Sequence, residues 1–166
     1  MSELELLAER LGRELLNRGE SLATAESCTG GWTSQVVTAV AGSSAWFDRG
    51  FVTYSNDAKV EMLGVTATTL ARHGAVSEAT ARAMAQGALK HSRANWALAI
   101  TGIAGPTGGT PAKPVGMVCL AWAQRGGGCE ALTCQFTGTR AEVRQQAVRL
   151  ALSGALKRVM AATLMA

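Results

Sequence analysis

The run Trp96-Ala97-Leu98-Ala99-Ile100-Thr101 is apolar at every position but its last and is flanked by polar and glycine-rich sequence. Such a run marks a strand buried on both faces, which belongs in the middle of a sheet with helices above and below it. The rest of the chain supplies those layers in order. Leu4, Leu7, Leu11 and Leu15 recur at helical spacing behind a Ser2…Glu5 capping box, and Gly19 supplies the stop. A short strand over about 21–25 leads into a second helix that runs through Val40, and Gly42-Ser43-Ser44 break the chain before a strand over 46–53. Helical pieces near 56–63, 66–73 and 77–92 are punctuated by Gly64 and Gly74. Val115–Ala123 and Cys129–Phe136, joined by Gly126-Gly127-Gly128, predict a hairpin. A second capping box, Thr139…Glu142, opens a last helix from Arg140 to about Leu164. The pattern predicts a three-layer α/β/α fold with a mixed, mostly parallel sheet, in one domain spanning residues 1–166.

Composition narrows the partners. Charged residues are only 17% of the chain, below the roughly 25% usual in soluble domains, so much of the surface must be small and neutral or covered by another copy. Homo-oligomerisation is therefore expected. A net charge of +4 suits an anionic ligand. The positive residues are scattered, however, without the basic run or aromatic interleaving of a nucleic-acid binder, so a small phosphorylated substrate fits and nucleic acid does not. Cys28, Cys119, Cys129 and Cys134 form no Cys-x-x-Cys pair, and the chain opens on no signal peptide, which predicts a reduced, cytoplasmic protein. His73 and His91 stand on helix-like stretches with no carboxylate motif nearby, so neither a metal site nor a histidine triad is expected. Neither metal nor cofactor is predicted. The apolar runs fall far short of the ~20 residues that span a bilayer.

Chemistry concentrates in three loops. In Thr24-Ala25-Glu26-Ser27-Cys28-Thr29-Gly30-Gly31-Trp32 an apolar run ends and a helical pattern begins. Unpaired N–H groups and the positive end of the helix dipole at such a boundary stabilise an oxyanion or a phosphate. Two readings follow: Ser27 is a nucleophile, or Ser27 or Thr29 caps the helix, the commoner use of these residues there. Further on, Phe51-Val52-Thr53-Tyr54-Ser55-Asn56-Asp57-Ala58-Lys59 brings a strand to its end at the only tyrosine and puts Lys59 about one turn into a helix capped by Ser55 or Asn56. A serine nucleophile needs a neighbour that takes its proton, and an amine and a phenol would both stand close if the loops meet. Taken blindly, the pair is a solvated lysine and a half-buried tyrosine. Thirdly, the buried strand runs into Thr101-Gly102-Ile103-Ala104-Gly105-Pro106 and on to Lys113-Pro114. This is neither a Walker A loop nor a Gly-x-Gly-x-x-Gly fingerprint, but its backbone N–H groups suit a phosphate. Ligands of open α/β sheets bind at the carboxyl ends of strands, so all three loops are expected on one rim.

Ala25-Glu26-Ser27-Cys28-Thr29-Gly30-Gly31, Gly42-Ser43-Ser44-Ala45-Trp46-Phe47, Gly50-Phe51-Val52-Thr53-Tyr54-Ser55-Asn56, Gly74-Ala75-Val76-Ser77, Gly102-Ile103-Ala104-Gly105-Pro106 and Lys113-Pro114-Val115-Gly116 resemble, in order and spacing, the CinA C-terminal family. The resemblance covers nearly the whole chain. It implies hydrolysis of the carboxamide of nicotinamide mononucleotide, a pyridine nucleotide, by attack of Ser27 with help from Lys59 and Tyr54. Tyr54 would orient Lys59 or relay a proton. Oxyanion contacts are expected from the backbone N–H groups around Cys28 to Gly31, other substrate contacts from Thr29, Gly30 and Gly31, and phosphate contacts from Gly102, Ile103, Ala104 and Gly105 with Arg140 and Arg144. These two arginines share a helix face and would otherwise be solvated. The chain lacks the N-terminal domain fused to longer members, so no pyrophosphatase activity tied to that domain is expected. Its 106–113 loop is also less acidic than in many relatives. The competing reading is a non-catalytic nucleotide-binding or regulatory module linked to competence or DNA damage.

Overall fold

Five strands, β1 (Leu22–Glu26), β2 (Phe47–Val52), β3 (Trp96–Gly102), β4 (Met117–Gln124) and β5 (Cys129–Gln135), form one sheet in the order β2-β1-β3-β4-β5 in the computed structural model, which describes residues 1–165. The apolar run is the third of the five, with Trp96 to Thr101 all buried. β1 pairs parallel with both β2 and β3, whereas β3–β4 and β4–β5 are antiparallel, so four of the five strands point the same way.

Period-2 alternation sorts the two faces by size. Leu22, Leu98, Ile100, Leu120 and Trp122 point to one face and pack under α1 (Glu3–Arg18), α2 (Trp32–Ala39) and α6 (Arg140–Met165). Ala23, Ala25, Ala97, Ala99, Ala121 and Ala123 point to the other, and their small side chains let α5 (Glu78–Lys90) lie close on the sheet. α3 (Asn56–Leu63) and α4 (Ala67–His73) pack against α5 on this side. The expected three-layer α/β/α arrangement with a mixed sheet is what forms. Both capping boxes close: Ser2 with Glu5 at α1, and Thr139 with Glu142 at α6 through two 3.2 Å bonds.

One contact seats the helix that carries Lys59. A Cβ on Gly87 of α5 would stand 2.0 Å from the Leu63 carbonyl oxygen at the end of α3, so only glycine lets the two backbones meet. Gly87→Ala is expected to cost about 1–3 kcal/mol of stability through overpacking, read as a lower urea midpoint. An unchanged midpoint would mean that α3 yields freely.

Candidate active site

Glu26 at the end of β1 is in register with Val52 of β2 on one side and Ile100 of β3 on the other. The three following loops therefore leave the same edge of the sheet, the rim expected from the strand order. They enclose a cavity of about 290 Å³, near the lower end of ligand pockets. Ser27, Cys28, Tyr54, Lys59, the stretch Thr101–Gly105 and Arg140 line it.

The turn after β1 is held in a way the sequence did not suggest. Neither Ser27 nor Thr29 caps α2; its N-cap is Gly31 in the left-handed region (φ 101°), with no side-chain cap from that residue. The carboxylate of Glu26, fully buried, takes that place. Its Oε1 accepts from Thr29 Oγ1–H at 2.7 Å and Thr33 N–H at 2.8 Å, and its Oε2 accepts from Ser34 N–H at 3.1 Å and Ser34 Oγ–H at 2.8 Å. A negative group at a helix N-terminus complements the dipole. Ser27 N–H donates to Ile100 O at 2.9 Å, and Arg144 Nε and Nη2 donate to Cys28 O at 3.0 Å and Thr29 O at 3.2 Å. Among the described residues, the N–H groups of Cys28 and Thr29 donate to no backbone or side-chain oxygen, and Cys28 lines the cavity.

Lys59 lies on α3, four residues past its cap Ser55, whose hydroxyl accepts from Ala58 N–H at 3.0 Å. Its side chain runs inward and is only 1% exposed. Nζ donates to Ser27 Oγ at 2.9 Å and to Thr53 O at 2.8 Å. Thr53 N–H in turn donates to Glu26 O at 2.8 Å, so the β1–β2 ladder sets the distance between serine and lysine. Among the described residues no carboxylate pairs with Lys59. Burial without a counter-ion pushes its pKa below the ordinary lysine value, opposed weakly by the Cys28 thiol. A neutral Nζ keeps its bond to Thr53 O and turns its lone pair to the Ser27 hydroxyl. Burial pushes the Cys28 thiol the other way, up to about 11.

Tyr54 departs from expectation. It is 62% exposed, and its phenol accepts from Arg140 Nη2 at 3.2 Å, with no hydrogen bond to Lys59 or Ser27. The Thr53 carbonyl orients the amine instead. The expected substrate contacts divide likewise. Thr29 is fully buried with its hydroxyl on Glu26, and Thr29, Gly30, Gly31 and Arg144 all stand outside the cavity lining, shaping the turn from behind. Arg144 is held there by two carbonyls and the Trp32 ring, 5.5 Å from its guanidinium. Arg140 faces the cavity, with Nη1 donating to Gly105 O at 2.7 Å. Gly102, Ile103, Ala104 and Gly105 line the wall, and the N–H groups of Ala104, Gly105, Thr107 and Gly108 donate to no protein acceptor among the described residues. A Cβ on Gly105 would come within 2.4 Å of Val115, so the loop needs glycine there. Asn56, read from the sequence only as a candidate cap, and Val76 and Thr101, given no site role there, also line the cavity. His73 and His91 are both exposed, and no three His, Cys, Asp or Glu residues of the described chain gather as metal ligands.

The model of the CinA C-terminal domain matches residues 4–159. The chain belongs to the CinA C-terminal family. Among family members, it is 57% identical over 152 residues to the nicotinamide-nucleotide amidohydrolase PncC of Escherichia coli, covering 91% of this chain and 92% of that protein. It is 47% identical over 159 residues to the protein of the same name from Pseudomonas putida, covering 95% and 98%. The crystal structure of a competence/damage inducible protein from Agrobacterium tumefaciens, 49% identical, superimposes with a TM-score of 0.91 over 95% of this chain and 97% of that one. This CinA C-terminal fold thus places a serine and a buried amine at the rim of its sheet.

Proposed function

We propose that the chain hydrolyses the carboxamide of nicotinamide mononucleotide to nicotinic acid mononucleotide and ammonia, with Ser27 as nucleophile and Lys59 as general base. The observation that carries this is a buried lysine amine, unpaired with any carboxylate of the described residues, 2.9 Å from a serine hydroxyl in the wall of a cavity. The high identity to proteins named nicotinamide-nucleotide amidohydrolase supplies the substrate class. In this reading, neutral Lys59 takes the Ser27 proton as Oγ bonds to the carboxamide carbon. Cys28 N–H meets the developing oxyanion, a donor whose loss typically costs about 10²–10³ in rate. Lys59 then hands the proton to the leaving nitrogen, ammonia departs and an ester on Ser27 remains. Water attacks that ester, Lys59 takes its proton, and Ser27 leaves with the proton restored, freeing the carboxylate product.

Arg140 anchors the substrate phosphate, with the open N–H groups of the 104–108 loop beside it and Tyr54 holding the guanidinium at the mouth. Arg140→Ala should raise KM for the mononucleotide about 10–100-fold, the size of one lost charge-assisted contact, with a smaller change in kcat. Nicotinamide riboside, which lacks the phosphate, should be turned over poorly by the parent and little worse by the variant. If the variant keeps the full preference for the phosphorylated substrate, the anchor lies in the loop.

The same reading takes residues 1–166 as one catalytic domain, working in the cytoplasm as a homo-oligomer without metal, cofactor or nucleic acid. No helix of the described residues is long and apolar enough to cross a membrane. Incubating purified protein with nicotinamide mononucleotide and measuring ammonia is the direct test. Binding of the nucleotide with no ammonia formed would favour the non-catalytic, regulatory role instead.

A further inference from the structure

We infer that Glu26 is the positioning residue of the reaction: its buried carboxylate, through Thr29, fixes the turn that presents the Ser27 hydroxyl to Lys59. The inference rests on the serine mechanism above. Glu26 is fully buried and, among the described residues, forms no ion pair, yet both of its oxygens carry two hydrogen bonds, all four from the turn and from the first residues of α2. An ordinary serine or aspartate N-cap would satisfy a helix start from the surface, and a buried charge is a poor source of stability, so these four bonds are accounted for by the position they impose on the turn.

What Glu26 adds is reach in three directions at once. Its side chain holds Thr29 on the far side of Ser27 and the first turn of α2. Its carbonyl accepts from Thr53 N–H, and Thr53 O accepts from Lys59. One residue thus sets both the serine, as its immediate neighbour in sequence, and the carbonyl on which the lysine rests. It also fills the positive end of α2 with an internal anion, so the substrate's phosphate and oxyanion must be met elsewhere on the rim, by Arg140 and the open N–H groups.

Thr29 makes the test clean because its hydroxyl and its methyl have separable duties. Thr29→Val keeps the shape and removes the 2.7 Å bond to Glu26, whereas Thr29→Ser keeps that bond and leaves a small void. Activity should follow the hydroxyl, while both variants should melt earlier, Thr29→Val because a buried carboxylate loses a donor and Thr29→Ser because a buried methyl is lost. Thr29→Val is expected to lower kcat for ammonia release roughly 10–100-fold, with KM within about twofold, as small misplacements of reacting groups do. Thr29→Ser should stay within about threefold of the parent in kcat while melting earlier. Glu26→Gln, which cannot accept from both Thr29 and Ser34 as the carboxylate does, should fall at least as far as Thr29→Val. The rate at which a fluorophosphonate labels Ser27 should fall in step with kcat in each variant, with no nucleotide present. Parent-like kcat and labelling in Thr29→Val, or loss in Thr29→Ser alone, would overturn the positioning role and leave the serine mechanism standing. Failure of the parent itself to label at Ser27 while releasing ammonia would instead remove the mechanism, and this inference with it.

Discussion

Ser27→Ala is expected to lower ammonia release from nicotinamide mononucleotide by at least about 10³-fold, while Cys28→Ala keeps most of the parental rate. Removal of a nucleophile that forms a covalent intermediate leaves only the residual effect of binding and oxyanion contacts. The neighbouring thiol is no substitute. Cys28 is buried, and its pKa of about 11 keeps it protonated and poorly nucleophilic at neutral pH. The serine hydroxyl also holds the 2.9 Å contact with the lysine amine. Rapid quenching followed by intact-mass measurement should find a nicotinoyl-nucleotide ester on the parent and none on Ser27→Ala. Full activity in Ser27→Ala, or its loss only in Cys28→Ala, would move the nucleophile to the thiol.

Lys59→Met should lower kcat by about 10²–10⁴, the usual contribution of a positioned base, and leave nucleotide affinity nearly unchanged. Methionine fills a similar buried volume, so the loss reports chemistry more than collapse of the site. Lys59→Arg should not rescue, because guanidinium stays charged at any working pH and has no lone pair to offer. The pH profile carries the sign of the same argument. The active form is the neutral amine, so kcat/KM should rise with pH as Lys59 loses its proton. Burial lowers the pKa from 10.5, so the midpoint of that rise should fall below 10.5. A profile flat through that range in the parent, or one retained unchanged in Lys59→Met, would assign the base to another group.

Much of this protein is legible along the chain. The central strand, the glycine-linked hairpin, both capping boxes and the Ser55 cap are each written in a few consecutive residues, because period and capping are local properties. The meeting of Ser27 with Lys59 was also foreseeable, since both loops leave the carboxyl ends of strands that pair in parallel. The role of the glutamate before Ser27 was not legible, because it ends β1 five residues before the N-cap of α2 and meets that helix only through the fold of the turn. Other outcomes depended on which distant group arrives at a given atom. Tyr54 and Lys59 are five residues apart, yet α3 turns Lys59 into the protein while Tyr54, before the cap of that helix, stands in solvent. Arg140 and Arg144 look equivalent on their helix, but the path of α6 across the sheet puts Arg140 in the cavity. It sets Arg144 on the carbonyls of Cys28 and Thr29, more than a hundred residues earlier in the chain. By itself, the sequence determined the elements, their order and the loops that carry the chemistry. Only the tertiary structure decided which side chains face the substrate and which hold the turn behind it, because that choice depends on how separate elements cross and is encoded in none of them alone.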